Sequence, residues 1–222
     1  MRMLYHFWLC PQSRKVRIVL KEKGLDFGLE LERPWELREG YLEVNPAGTT
    51  PLLVEENGAH VSDGQTICEY LDEAYPDRRM IGFDPLSRAE TRRIVAWFDQ
   101  KFALEVGEPL IGEKLLKRLT RGGEPVSAAI RAGQHNLHIH LDYIGYLAER
   151  RTWLAGDEFG LADIAAGAHL SCIDYLGDVP WDQHPPARDW YARIKSRPAF
   201  RPLLADHIPG FPPPKHYADL DF

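Results

Sequence analysis

The chain has 222 residues, 44% of them hydrophobic and 11% aromatic, with 27 Lys+Arg against 33 Asp+Glu for a formal net charge of −6. That apolar content excludes wholesale disorder, and the mild negative balance argues against a general affinity for nucleic acid or anionic membranes. No apolar run reaches the roughly 20 residues that span a bilayer, no signal-peptide stretch opens the chain, and three scattered cysteines make no disulfide framework, so a reducing cytoplasm is the expected compartment.

Met3 to Phe7 reads as a short buried strand that Cys10-Pro11 ends. From Gln12 to Lys23, Val16, Ile18, Val19 and Leu20 fall at helical spacing, and Gly24 stands where a helix C′ residue belongs. Phe27 to Glu32 alternates and predicts a second strand. Leu52–Val54 and Ala59–Ser62 flank Glu56-Asn57-Gly58, a strong hairpin signal. Asp63 can cap a helix running to Ala74. The order β-α-β, loop, β-β-α predicts an α/β domain over residues 1–77.

Residues 78–85 read as a linker, and beyond it strand signals nearly vanish. Asp84-Pro85 supplies an N-cap and an N1 proline to a helix carrying Ile94, Phe98 and Phe102 every fourth residue. Further helices are predicted at Ile111–Leu119, Val126–Arg150, Leu161–Leu176 and Ala187–Ser196, which makes residues 86–206 an all-helical domain. An extension, 207–222, combines Pro209, Pro212, Pro213 and Pro214 with Phe211, Tyr217 and Phe222. It is too proline-rich for a regular helix and too aromatic for a simple solvated tail.

Cys10-Pro11-Gln12-Ser13 is the sharpest local feature. A thiol at a helix's first turn meets unpaired amide donors and the positive dipole end, which favour thiolate, and Arg14 and Lys15 add positive charge. Read alone, Cys10 also fits a small, partly buried residue without reactivity. Ser13 stands where a second cysteine would complete a Cys-x-x-Cys pair, which excludes an internal dithiol cycle. Cys68 and Cys172 lie in helical patterns and read as core. In Asn45-Pro46-Ala47-Gly48-Thr49-Thr50-Pro51, the proline is a candidate cis peptide that would turn the Thr50 backbone outward, where it could bind another backbone; an ordinary tight loop is the plain alternative. Asp63-Gly64 offers an acceptor to an ammonium group and helix N–H donors to a carboxylate, or is simply an Asp N-cap.

In this order and spacing, these patches and the stretches Ser13–Ile18, Asp63–Leu71, Leu154–Asp157 and Ala162–Ile164 resemble the cytosolic glutathione transferase superfamily over residues 3–205. The resemblance implies a thioredoxin-like N-terminal domain, an all-helical C-terminal domain, a homodimer, and glutathione as the bound thiol. By position Cys10 matches the catalytic Ser or Cys, Thr50 the residue whose backbone holds the cysteinyl unit, and Pro51 the cis-proline. Asp63 and Gly64 match the Glu/Gln-Ser pair that holds the γ-glutamyl group. Gly64 replaces the family's serine, and a lost hydrogen bond to a charged group is worth on the order of 1.5–3 kcal/mol, a tenfold to over hundredfold loss of affinity. Gly64→Ser is accordingly expected to improve glutathione binding. Thr49 stands where a Lys or Gln often helps hold the glycyl end.

A narrower resemblance lies in His6–Pro11, Glu32–Glu36, Asp174–Trp181 and the end of the extension, Pro212–Phe222. These stretches look like a transferase-fold group of alphaproteobacterial cell-division proteins. Membership implies binding to the tubulin-like division protein FtsZ, at the division site, with weak or no transferase activity. The partner site is expected on the extension, at Phe211, Tyr217, Asp219, Asp221 and Phe222, folded back on the helical domain. Deleting residues 213–222 is expected to abolish filament binding and leave the melting temperature unchanged; the plain alternative is a strap that only stabilises the helical domain, which a collapsed melting temperature would favour. The alternative is an active glutathione-dependent transferase or thiol transferase using Cys10. No metal site is expected: His135, His138 and His140 read as solvated, and so does the basic face of Lys114, Lys117, Arg118 and Arg121.

Overall fold

The N-terminal apolar run forms β1 (Arg2–His6), inside a four-stranded mixed sheet of order β2-β1-β3-β4 in the computed structural model, which describes residues 1–220. β2 (Phe27–Leu31) runs parallel to β1 with Leu29 beside Leu4, so a crossover is required and α1 (Pro11–Glu22) supplies it. β3 (Leu52–Val54) pairs antiparallel with β1, and β4 (His60–Ser62) antiparallel with β3. The Asn57-Gly58 turn closes that hairpin, with Gly58 at φ +83° and the Glu55 N–H donating to Ala59 O at 2.9 Å. Leu4, Leu52 and Leu53 have no exposed surface, and a fully buried leucine contributes about 1.5–3 kcal/mol. On the edge strand β2, Leu29 is instead 43% exposed.

α1 packs against α3 (Gly64–Ala74), burying Val16, Ile18, Ile67 and Leu71. A short helix, α2 (Glu39–Val44), occupies a polar stretch with no helical stripe. These elements belong to one unit of the chain, Met1–Arg79; the second starts at Met80.

The second unit is helical. α4 starts at Pro85–Ala96 behind an Asp84 cap, continues through a π-type stretch, Trp97–Leu116, and closes with a turn at Lys117–Thr120. The separate helix expected at Ile111–Leu119 is therefore part of α4, and Pro109 lies within the continuous run. Its neighbour α5 (Ser127–Ala148) presents Gly133 there, where a Cβ would come within 2.9 Å of Pro109 Cβ and 3.0 Å of Leu110. Glycine permits this close approach. Every residue of α6 (Leu161–Tyr175) is buried, which makes it the central helix. α7 (Pro185–Lys195) adds Trp190 and Tyr191, the latter stacked on Trp181 at 4.8 Å, and α8 (Arg201–Leu204) follows. Asp163, near the start of α6, accepts from Leu154 N and Trp190 Nε1, both at 3.0 Å, and burial pushes its pKa up to about 6. Among the described residues no helix is long and apolar enough to cross a membrane.

Candidate functional site

Cys10 is the N-cap of α1, with extended backbone (φ −90°, ψ 111°) and Pro11 at the first helical position. Its Sγ accepts from Ser13 N at 3.4 Å and donates to the Thr50 carbonyl at 3.4 Å. The half-buried thiol thus bridges the first turn of α1 and the loop before β3. Ser13, at the second-cysteine position, is buried, and its Oγ accepts from Phe7 N at 3.4 Å. Arg14 and Lys15 have no exposed surface: Arg14 Nε donates to Trp8 O at 2.6 Å and Lys15 Nζ to Gln65 Oε1 at 3.2 Å.

The Thr50-Pro51 bond is cis. Its loop is braced by Tyr41, which the sequence reading missed, and by Asn45, whose bracing role it did not read. Tyr41 Oη donates to Thr49 O at 2.6 Å, and Asn45 Nδ2 donates to the same carbonyl at 2.7 Å. Both are buried, and burial raises the Tyr41 pKa. Tyr41 sits on α2, so the one signal for it was an isolated aromatic in a polar segment.

Asp63 caps α3, its Oδ1 accepting from Thr66 N at 2.8 Å and Thr66 Oγ1 at 3.0 Å. Its backbone is at φ +73°, ψ 129°, a conformation that favours glycine, so the aspartate is held against a local preference of order 1–3 kcal/mol. The neighbouring Gly64 is buried under the Gln12 side chain. Cys10, Thr50, Pro51, Asp63 and Gly64 are all within the first unit, at the starts of α1, β3 and α3.

The extension lies on the second unit. Tyr175 Oη accepts from Ile208 N at 2.9 Å and donates to Phe211 O at 2.8 Å. Tyr217 stands edge-on to Tyr175 at 5.1 Å, and its hydroxyl donates to Leu203 O at 3.2 Å. Asp174, with no exposed surface, accepts from Trp181 Nε1 at 2.9 Å and pairs with His216 at 3.1 Å; that hydrogen bond raises the imidazole pKa. Lys195 Nζ, fully buried, donates to His216 O at 3.2 Å, and burial lowers its pKa. Tyr217 has no exposed surface and so offers a partner no contact, whereas Phe211 is half-buried and Asp219 exposed. Arg118 lies over the Phe211 ring at 5.7 Å. Asp221 and Phe222 lie outside the described residues.

Two surface expectations need correction. His140 is not solvated: it has no exposed surface, its Nδ1 accepts from Trp97 Nε1 at 3.0 Å, and its Nε2 donates to Glu105 at 3.1 Å. A ring with both nitrogens satisfied can be buried. His138 Nδ1 lies 2.8 Å from His184 Nε2. In the basic face, Arg118 and Arg121 are exposed as expected, but Lys114 is partly covered and ion-paired with Asp178 at 2.6 Å, and Lys117 with Glu113 at 2.7 Å. Among the described residues no group of three or more His, Cys, Asp or Glu side chains could hold a metal ion.

A thioredoxin-like sheet with a cysteine capping α1 and a cis-proline opening β3, followed by a helical unit, defines a class. Residues 9–74 match the glutathione S-transferase N-terminal domain and residues 139–198 the glutathione S-transferase C-terminal domain, and the chain belongs to that superfamily. It is 47% identical to FtsZ-localized protein A of Caulobacter vibrioides (strain NA1000 / CB15N), over 100% of this chain and 98% of that protein. The solved structure of FzlA from C. crescentus matches with a TM-score of 0.97 at 47% identity, covering 100% of this chain and 99% of that one. A glutathione S-transferase from Rhodospirillum rubrum F11 matches at TM-score 0.99 and 56% identity, with 100% of both chains covered. A glutathione S-transferase from Methylobacillus flagellatus KT, solved with GSH bound, matches at TM-score 0.75 and 27% identity over 91% of this chain and 98% of that one.

Proposed function

We propose that this protein binds FtsZ and regulates division through it, as a homodimer with weak or no transferase activity, in the cytoplasm at the division site. The observation that carries this reading is identity to FtsZ-localized protein A along the whole chain, the extension included. The extension supports it: Tyr217 anchors the segment, while Phe211 and Asp219 keep surface that a charge-complementary partner could meet. The absence of a serine at Gly64 favours poor glutathione binding.

Co-sedimentation with FtsZ filaments, beside glutathione calorimetry on the same preparation, tests the proposal. The protein is expected to pellet with the filaments, the Asp219→Lys variant to pellet less, and glutathione to bind more weakly than micromolar. A protein that stays in the supernatant at every FtsZ concentration sinks it.

A second reading rests on Cys10, whose Sγ touches both Ser13 N and the Thr50 carbonyl. That geometry suits a thiol transferase in which the Cys10 thiolate attacks the glutathione sulfur of a mixed disulfide, forms a Cys10–glutathione disulfide and releases the substrate thiolate; a second glutathione thiolate then frees Cys10 and leaves as glutathione disulfide. Measurable turnover that Cys10→Ser abolishes would favour it.

A further inference from the structure

We infer that Gln12 and Gly64 jointly control entry to the γ-glutamyl side of the candidate pocket. The Gln12 side chain fills the volume that a serine side chain would take at position 64, and it must move before a γ-glutamyl carboxylate can bind. This rests on reading the pocket as a glutathione site.

A Cβ built on Gly64 would lie 2.4 Å from Gln12 Oε1, 2.8 Å from Gln12 Cβ and 3.2 Å from Gln12 Cδ. The first two distances are shorter than real Cβ atoms accept. The backbone of Gly64 begins α3 without a positive φ, so the glycine serves close approach and not an unusual conformation. Gln12 is the second residue of α1, two positions after Cys10, so one side chain joins the thiol turn to the start of α3.

The carboxamide is poorly satisfied where it lies. Gln12 Oε1 is buried and has no hydrogen-bond partner among the described residues. A buried carbonyl oxygen without a donor is unfavourable, so the side chain gains when it swings out.

A serine at position 64 does not act alone in this geometry. The end of a glutamine can rotate away from a new Cβ, but Gln12 Cβ is fixed to the backbone of α1 and also stands too close. The earlier expectation that Gly64→Ser by itself improves glutathione binding is therefore revised. The hydroxyl becomes useful only once the Gln12 side chain is removed, its Cβ included.

A double-mutant cycle tests this on the full chain: the unmodified protein, Gln12→Gly, which removes the Cβ as well, Gly64→Ser, and both changes together. The readouts are the melting temperature and calorimetric binding of glutathione and of the dipeptide Cys-Gly, which lacks the γ-glutamyl group. Gly64→Ser is expected to lower the melting temperature in the unmodified background, and to lower it less when Gln12→Gly is present. Glutathione affinity is expected to rise about tenfold or more in the double variant, the effect of one hydrogen bond to a charged group, and not in Gly64→Ser alone. Cys-Gly binding should not change across the cycle. If Gly64→Ser alone gains as much as the double variant without losing stability, the inference is overturned while the glutathione reading stands. If the melting temperatures couple but no variant binds glutathione at millimolar concentration, the glutathione reading itself fails and takes the inference with it.

Discussion

The candidate pocket and the C-terminal extension are held in opposite ways. In the pocket, turns and helix caps at the ends of regular elements position Cys10, Thr50 and Asp63, each of which keeps some surface. The extension is mostly irregular chain, yet it is fixed by Tyr217, Asp174 and Lys195, none of which has any. Backbone geometry places the groups that could do chemistry, and buried polar side chains place the segment that lacks regular structure. Substitution should therefore disturb stability most where the chain looks least ordered.

Tyr217→Ala gives the largest expected effect. Truncating a fully buried aromatic costs about 3–5 kcal/mol, readable by urea unfolding. Tyr217→Phe, which loses the bond to Leu203 O and keeps the ring, should cost about 1 kcal/mol. Deleting residues 213–222 removes Tyr217 and strips cover from Asp174 and Lys195, so the melting temperature should fall, contrary to the reading from sequence. An unchanged melting temperature in Tyr217→Ala would erase the contrast between pocket and extension.

A smaller effect comes from pH, because the part-exposed His216 ring is screened by solvent. Its hydrogen bond to Asp174 raises the imidazole pKa above 6.5. The pair therefore adds stability that is complete below about pH 6.5 and is lost as pH rises through the raised value. His140 works in the other direction: burial lowers its pKa from 6.5, so its contribution is complete above that pH and is lost as pH falls. Ring-proton titration by NMR checks both signs, and a His216 that titrates below 6.5 would break the assigned tie.

In the pocket the expected stability effects are slight. Cys10→Ser should leave unfolding free energy within about 0.5 kcal/mol, since serine is itself a good N-cap, while abolishing any disulfide exchange. Asp63→Gly should leave stability level or slightly raised: the cap loses a few tenths of a kcal/mol and glycine adds about 0.5–1 kcal/mol of chain entropy, against relief of the strain at a φ of +73°. Any glutathione affinity should nevertheless weaken, as the acceptor for the ammonium group is gone. A loss of several kcal/mol in either variant would place the pocket, too, among the stability-determining parts of the chain.

The sequence made the sheet and the pocket turns legible because local rules govern them. Asn57-Gly58 sets the hairpin, Cys10-Pro11 starts α1, and Asp63 caps α3. What it hid depended on partners distant in the chain. The helix expected separately at Ile111–Leu119 is continuous with the run before it, with Gly133 of α5 close beside Pro109, and His140 reads as a surface residue until Trp97 and Glu105 supply its hydrogen bonds. Tyr41 carries no motif, Asn45 enters only as the first residue of the turn cluster, and the bracing role of both is found only by following what holds the Thr49 carbonyl. Gln12 was equally silent, because its role is a matter of volume against Gly64.

The three cysteine thiols differ in access, since Cys68 and Cys172 are 1% and 0% exposed and Cys10 is half-buried. A maleimide thus has one address on the folded protein, and a dye placed there would report on whatever enters the pocket. The sealed thiols act as clocks. Cys68 belongs to the first unit and Cys172 to the second, so each should react with the reagent only when its own unit opens. Timing the two modifications by peptide mass would follow the opening of each half of the chain separately, without any engineered probe.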